Sequence, residues 1–208
     1  MKNEGSILIN QVQIDRVRYV GEGIARVVGD DLPAAEWEFV VFQSTDLNAF
    51  ALPGGKVGIY SGLLNVAETD AEPATMMGHE IAHVTARHGS ERMSQNILVV
   101  AGAIGVGLAT QDGSDGDRAA AMAAYGLDIS IGVMLLFSCN DESEADAIDL
   151  RYAARPGYDP RGSIDFWERM TLVSKGKKKP AELLSTHPAD DTRIRNLKKI
   201  MPGFPQHL

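Results

Sequence analysis

The sequence predicts an α+β fold that is mainly helical, with a small antiparallel sheet near the N-terminus. Apolar residues recur at helical spacing over most of the chain. Period-two alternation is confined to the stretch between Trp37 and Tyr60, and Gly- and Pro-rich punctuation falls between the periodic segments. The 208 residues suit a single domain spanning residues 1–208. Hydrophobic residues at 44% and charged residues at 23% exclude a disordered or fibrous chain. The one cysteine, Cys139, cannot form an internal disulfide, so packing must hold the fold unaided.

Taken in order, residues 7 to 28 place Val17, Val20, Ile24 and Val28 on one face with Asp15, Arg16 and Arg26 off it. That predicts an amphipathic helix, closed by Asp30-Asp31-Leu32-Pro33. Trp37, Phe39 and Val41 alternate with Glu36, Glu38 and Val40 as a strand does. Asn48 to Leu52 and Val57 to Tyr60 predict two further strands, joined as a hairpin through Pro53-Gly54-Gly55. Asp70 is placed to cap a helix with Pro73 in its first turn, running to His88 and stopping at Gly89. Another helix starts at Ser90 and breaks at Gln111 to Gly116. An Ala-rich helix then runs towards Phe137, and Asp141 to Arg155 continues the helical character. Ile164, Trp167 and Met170 mark one more helix, and Pro188 to Lys199 a last one.

Two apolar stretches call for a membrane test. Ile97 to Leu108 is too short for a span, and Ala119 to Phe137 carries Asp128 at its middle, so both read as buried core helices. Twenty basic against twenty-eight acidic residues give a net charge of −8, which argues against a nucleic-acid partner. The one basic run, Lys175 to Lys179, reads as a solvated loop. Met1 to Gly5 lacks the apolar core of a secretory signal.

The chemistry is concentrated in His79-Glu80-Ile81-Ala82-His83. Histidines four apart on a helix project from one face, so both imidazoles can reach one metal ion, and Glu80 is placed to accept a proton from a bound water. Zinc takes neutral imidazole nitrogens in a tetrahedral site and leaves one position for water when three protein ligands bind. A third ligand is needed. Ala86 and Gly89 exclude a third histidine at the extended spacing, and His88 turns away from the face of His79 and His83. The acidic run Glu142-Ser143-Glu144-Ala145-Asp146 remains. Glu142 and Asp146 share a face while Glu144 points nearly opposite, and spacing does not choose between the first two.

Four segments in order carry a resemblance: Asn48-Ala49-Phe50-Ala51-Leu52-Pro53-Gly54-Gly55, Gly78-His79-Glu80-Ile81-Ala82-His83, Glu142-Ser143-Glu144-Ala145-Asp146, and Thr186-His187-Pro188 with Arg193. From about residue 10 to the end, the chain resembles the M48 family of zinc metallopeptidases, and within it the soluble bacterial branch. The resemblance implies a gluzincin-type zinc protease domain holding one Zn2+ per chain. His79, His83 and Glu142 match the metal ligands, and Glu80 matches the general base. Asp146 matches a carboxylate that holds a ligand imidazole in its metal-binding tautomer. His187 matches a histidine that points at the metal, steadying an oxyanion or filling the open position at rest, with Arg193 as partner of that element. The strand Asn48, Ala49, Phe50 and Ala51 matches the cleft edge, where an extended peptide can pair.

The resemblance further implies polypeptide substrates, unfolded or misfolded, and a periplasmic or envelope compartment. Membrane association would run through an N-terminal anchor outside this sequence. Two positions depart from the family pattern: Ser138-Cys139 stands where Ser-Arg is usual, and Asp149, which adds a negative charge, where Gly is usual. Cys139 reads as a packed or idle thiol. Three functional readings follow: an active zinc endopeptidase, a self-blocked zinc protein serving as a chaperone or binding module, and a structural helical protein with a fortuitous pentad.

Overall fold

The computed structural model describes residues 10–29, 31–32, 34–127, 134–175, 187 and 191–204. They fall in two compact units, one formed by Met1–Ala86 with Ser143–Leu208 and the other by Arg87–Glu142. Asp30, Pro33, Asp128, the lysines at 177–179, Thr186 and Pro188 lie outside the described residues, as does the side chain of Cys139.

In the first unit, helix α1 (Gln11–Val28) begins at Asn10, whose side chain accepts from the N–H groups of Val12 and Gln13. Its apolar stripe, Val17, Val20, Ile24 and Val28, is fully buried. The sheet follows, with β1 (Glu38–Phe42), β2 (Ala49–Leu52) and β3 (Lys56–Tyr60). The hairpin forms as the punctuation predicts: β2 and β3 pair antiparallel, and Gly54 and Gly55 both take φ +92° in the turn. The expectation of an antiparallel sheet needs correcting for β1, which pairs with β3 in parallel, making the sheet mixed in the order β1-β3-β2. The chain reverses between β1 and β2 and again at the hairpin, so β3 regains the direction of β1 and takes the central position. One face contributes Phe39, Val41, Ala49, Val57 and Ile59 to the core.

A short helix α2 (Ser61–Val66), not predicted from the pattern, leads to α3 (Ala71–Thr85), which packs against β2 and against α7 (Gly162–Ser174). Pro73 lies in the first turn of α3 as expected. Asp70 does not cap it, because its carboxylate accepts instead from Arg16 Nε at 2.7 Å, tying α1 to the start of α3. Arg169 Nε donates to the buried Glu72 at 3.1 Å and ties α3 to α7. Helix α8 (Asp191–Ile200) packs on α7 and ends in a 3-10 turn, Met201–Gly203.

The second unit contains α4 (His88–Ala109) and α5 (Asp115–Leu127), which pack on each other. The helix expected to run to His88 ends at Thr85, and Arg87 in the left-handed region (φ 61°) redirects the chain, so the next helix starts at His88 and passes through Gly89. Helix α6 (Met134–Ala154) is continuous across the division of the units, at Glu142 and Ser143. The expectation that Ile97 to Leu108 is a buried core helix is overturned: Ile97, Leu98, Val100, Ile104 and Leu108 are all exposed, and His88 is the only buried residue of α4. The described part of the Ala-rich stretch is likewise unburied, with Met122 40% exposed. Periodicity reports that residues are apolar, and long-range packing decides what covers them.

Candidate metal centre

Every residue of α3 from Glu72 to Ala82 is buried, so the helix crosses the interior of the first unit and carries His79 and Glu80 with it. His79 and His83, one turn apart, present their Nε2 atoms to each other at 3.1 Å. His187 brings its Nδ1 to 3.2 Å from His79 Nε2. Two zinc-bound nitrogens at about 2.0–2.1 Å in a tetrahedron stand about 3.3–3.4 Å apart, close to these separations. Each of these N···N contacts needs a lone pair on one of its nitrogens, and neutral imidazole lone pairs are the donors a divalent cation takes. Glu142, one turn before Asp146 on the continuous helix α6, contributes a carboxylate: the ligand atoms of His79, His83, Glu142 and His187 all lie within 4.8 Å of one another. Glu142 is buried and Glu144 exposed, as the opposite faces assigned to them require.

Asp146 occupies a different place from Glu142. Its Oδ1 lies 3.1 Å from His79 Nδ1, positioned to accept that N–H and leave Nε2 with its lone pair facing the cluster. Arg193 Nε donates to Asp146 Oδ2 at 2.9 Å, and its Nη2 donates to Oδ1. Burial alone would raise the Asp146 carboxyl, but the hydrogen bond to His79 and the Arg193 charge outweigh it and hold it below its ordinary range. The guanidinium lies 3.6 Å over the Trp167 ring, which itself meets His79 edge-on at 5.6 Å. Trp167 is a residue the sequence reading missed as part of the site. Its stripe with Ile164 and Met170 signals only a core helix, and nothing in the pattern shows which cation stacks on it. Glu80 is 7% exposed, with Oε1 3.4 Å from His187 Nε2.

Asp149, expected to add a negative charge, is fully buried. Desolvation pushes its carboxyl well above the ordinary carboxylate range, with Asp146 adding to the shift and His79 and Arg193 opposing it. Its Oδ2 accepts from Ser163 at 3.5 Å, and its Oδ1 has no hydrogen-bond partner among the described residues. Gly78 faces it so closely that a Cβ there would collide with Oδ1.

Of the predicted substrate strand, Ala49, Phe50 and Ala51 lie on β2 at the edge of the sheet, with Asn48 just before it. Tyr60 N–H donates to Asn48 C=O, so the alternation of an antiparallel pair turns the backbone groups of Ala49 and Ala51 away from β3. The Asn48 side chain accepts from Ala49 N–H at 3.0 Å. The Phe50 ring packs with Phe42, at 5.9 Å between centroids.

Comparison with known proteins identifies the family. The model of peptidase family M48 matches residues 12–201. Over 194 residues the chain is 31% identical to the mitochondrial metalloendopeptidase OMA1 of Schizosaccharomyces pombe, covering 88% of this chain and 52% of that protein. It is 34% identical over 177 residues to the protein of the same name from Saccharomyces cerevisiae, covering 82% and 49%. It is also 30% identical over 166 residues to the beta-barrel assembly-enhancing protease of Escherichia coli, covering 78% and 34%. The chain thus spans a third to a half of the length of the curated relatives it matches. A match over nearly the whole chain, together with the ordered motifs, places the chain in peptidase family M48.

Proposed function

We propose that residues 1–208 form a single zinc endopeptidase domain with one Zn2+ per chain, held by His79, His83 and Glu142. The observation that carries the reading is the convergence of histidine nitrogens and a carboxylate, with Glu80 buried beside them. When bound, zinc supplies Lewis acidity, lowering the pKa of a water to about 7 and polarising a peptide carbonyl. Glu80 takes the proton of the attacking water and returns it to the leaving amine. His187, whose Nε2 faces Glu80, is placed to donate to the oxyanion that develops on the carbonyl. Asp146 and Arg193 hold His79 in its tautomer and orientation.

Unfolded or misfolded polypeptides are the substrates we propose, laid along β2, where pairing through the main chain imposes little sequence preference. The compartment that fits this reading is the cell envelope. The acidic balance argues against nucleic acid as a partner. The test is Glu80→Gln. Elemental analysis should still find about one zinc per chain, while casein digestion falls by roughly 10²–10⁴-fold. A variant that digests casein at the unaltered rate overturns the assignment of the base.

One observation favours a second, self-blocked reading. His187 Nδ1 belongs to the donor cluster, so its imidazole stands where a fourth ligand would be. In that reading His187 fills the open position and the domain serves mainly as a chaperone or binding module.

A further inference from the structure

A cavity of about 440 Å³ lies within the first unit and takes no part in the metal centre. Its walls come from the end of α3 (Thr85), the stretch after α1 (Asp31), and one face of α6 with the residue that follows it (Glu144, Arg151, Tyr152 and Arg155). Thr85 is two residues past His83 and Glu144 two past Glu142, which turns each about 200° round its helix from the donor side. The cavity therefore opens on the reverse of the helices that carry the donor cluster.

Both signs of charge line this cavity and are kept apart. Among the described residues neither guanidinium meets a carboxylate: Arg151 donates only its Nε, to the Ala147 carbonyl at 3.3 Å, and the Arg155 side chain donates to nothing. One turn apart on one face, the two like charges also repel each other. The Asp31 carboxylate accepts from the Tyr152 hydroxyl at 2.9 Å and has no cationic partner among the described residues. Tyr152 is buried, and burial, with the Asp31 carboxylate adding to it, pushes its hydroxyl above the ordinary value of 10.0. That hydroxyl keeps its one proton at neutral pH. Thr85 Oγ1, 3.2 Å from Tyr152 Oη, gives its own proton to the Ala82 carbonyl. Asp31 Oδ2, Tyr152 Oη and Thr85 Oγ1 thus meet around a single proton and leave lone pairs for an incoming donor.

We propose that this cavity binds a small zwitterion, with an ammonium group on Asp31 and a carboxylate on Arg151 and Arg155, as the two free ends of a short peptide provide. An anion alone would meet Asp31 and Glu144, and a cation alone would meet the two arginines. A molecule carrying both charges gives each side a charge-assisted hydrogen bond. A sphere of the cavity's volume is about 9 Å across, room for two extended residues at about 3.3–3.6 Å each with their charged termini. The site needs neither zinc nor hydrolysis, so it stands or falls separately from the proposed function.

The experiment titrates dialanine into the 208-residue Glu80→Gln chain, with and without zinc, and follows the backbone amide resonances of Thr85, Tyr152 and Arg155 by NMR. Their shifts should saturate at one peptide per chain, equally in both forms. N-acetyl-dialanine, which lacks the ammonium, and dialanine amide, which lacks the carboxylate, should each bind about tenfold more weakly, the worth of a charged hydrogen bond. Free alanine, too short to reach both sides, should bind as weakly. Arg151→Gln with Arg155→Gln should weaken dialanine by about the same factor, and Asp31→Asn should erase the difference between dialanine and its acetylated form. Both variants lie at exposed positions and should keep the far-UV spectrum unchanged. No saturable shift at these amides overturns the proposal. So does equal binding of the acetylated probe, the amide, free alanine or inorganic phosphate. Binding that needs zinc, or that survives the double arginine replacement, places the peptide elsewhere and equally overturns it.

Discussion

Replacing Asp146 with Asn removes the charge that joins Arg193 to His79 while nearly keeping the shape. Arg193 and Asp146 side chains are each only 6% exposed, and Arg193 Nε lies 2.9 Å from the carboxylate. Breaking a buried pair by removing one partner costs about 3–5 kcal/mol, because the other charge stays desolvated. Asn keeps one acceptor oxygen, and the stack of Arg193 on Trp167 survives, which places the expected loss near the lower limit, about 3 kcal/mol. The pH dependence has a definite sign. The folded Asp146 carboxyl lies below its ordinary value of 3.8, so its stabilisation is complete above that value and is lost as pH falls through the folded one. The stability gap between the two proteins should therefore be widest at neutral pH and close below about pH 4. Urea unfolding of the metal-free proteins across this range measures it, and a competitive zinc titration should show affinity lowered about 10–100-fold. A loss under about 1 kcal/mol at pH 7, with unchanged zinc affinity, would refute the inference that Asp146 orients His79 and neutralises Arg193.

Asp149→Asn acts in the opposite sense. The raised carboxyl is stable in its neutral form below the ordinary pKa and loses that stability as pH rises towards its folded value, so Asn should raise Tm at pH 7. An increase of about 2–4 °C, what about 1 kcal/mol produces at this chain length, is expected by calorimetry. On β2, Ala51→Pro removes an N–H that faces the open edge, whereas at Ala49 the N–H already donates to Asn48. KM for an unfolded substrate should rise about three- to tenfold, the worth of one main-chain hydrogen bond, and an unchanged KM counts against strand addition. His187→Ala should raise casein digestion and weaken zinc binding if His187 blocks the centre. A fall of about 10²–10³-fold instead assigns it to the oxyanion.

Local pattern determined a good deal of this protein. The buried stripe of α1, the β2–β3 hairpin with its glycine turn, and the two pentad histidines on one face of a helix all follow from periodicities of 3.6 and 2 and from turn chemistry within a few residues. Tertiary structure alone separated Glu142, drawn into the donor cluster, from Asp146, which meets His79 Nδ1. Both lie on the same helix face, and which carboxylate meets which nitrogen depends on how two distant helices cross. The same holds for Asp70, claimed by Arg16 instead of its own helix, for the left-handed turn at Arg87, and for Asp149, whose carboxyl burial pushes well above its ordinary range. Even the apolar stripe of α4 reads as core until its surroundings are known. Spacing along a chain states which groups share a face, and only long-range packing supplies the partner, the dielectric and the cover that decide what the face does.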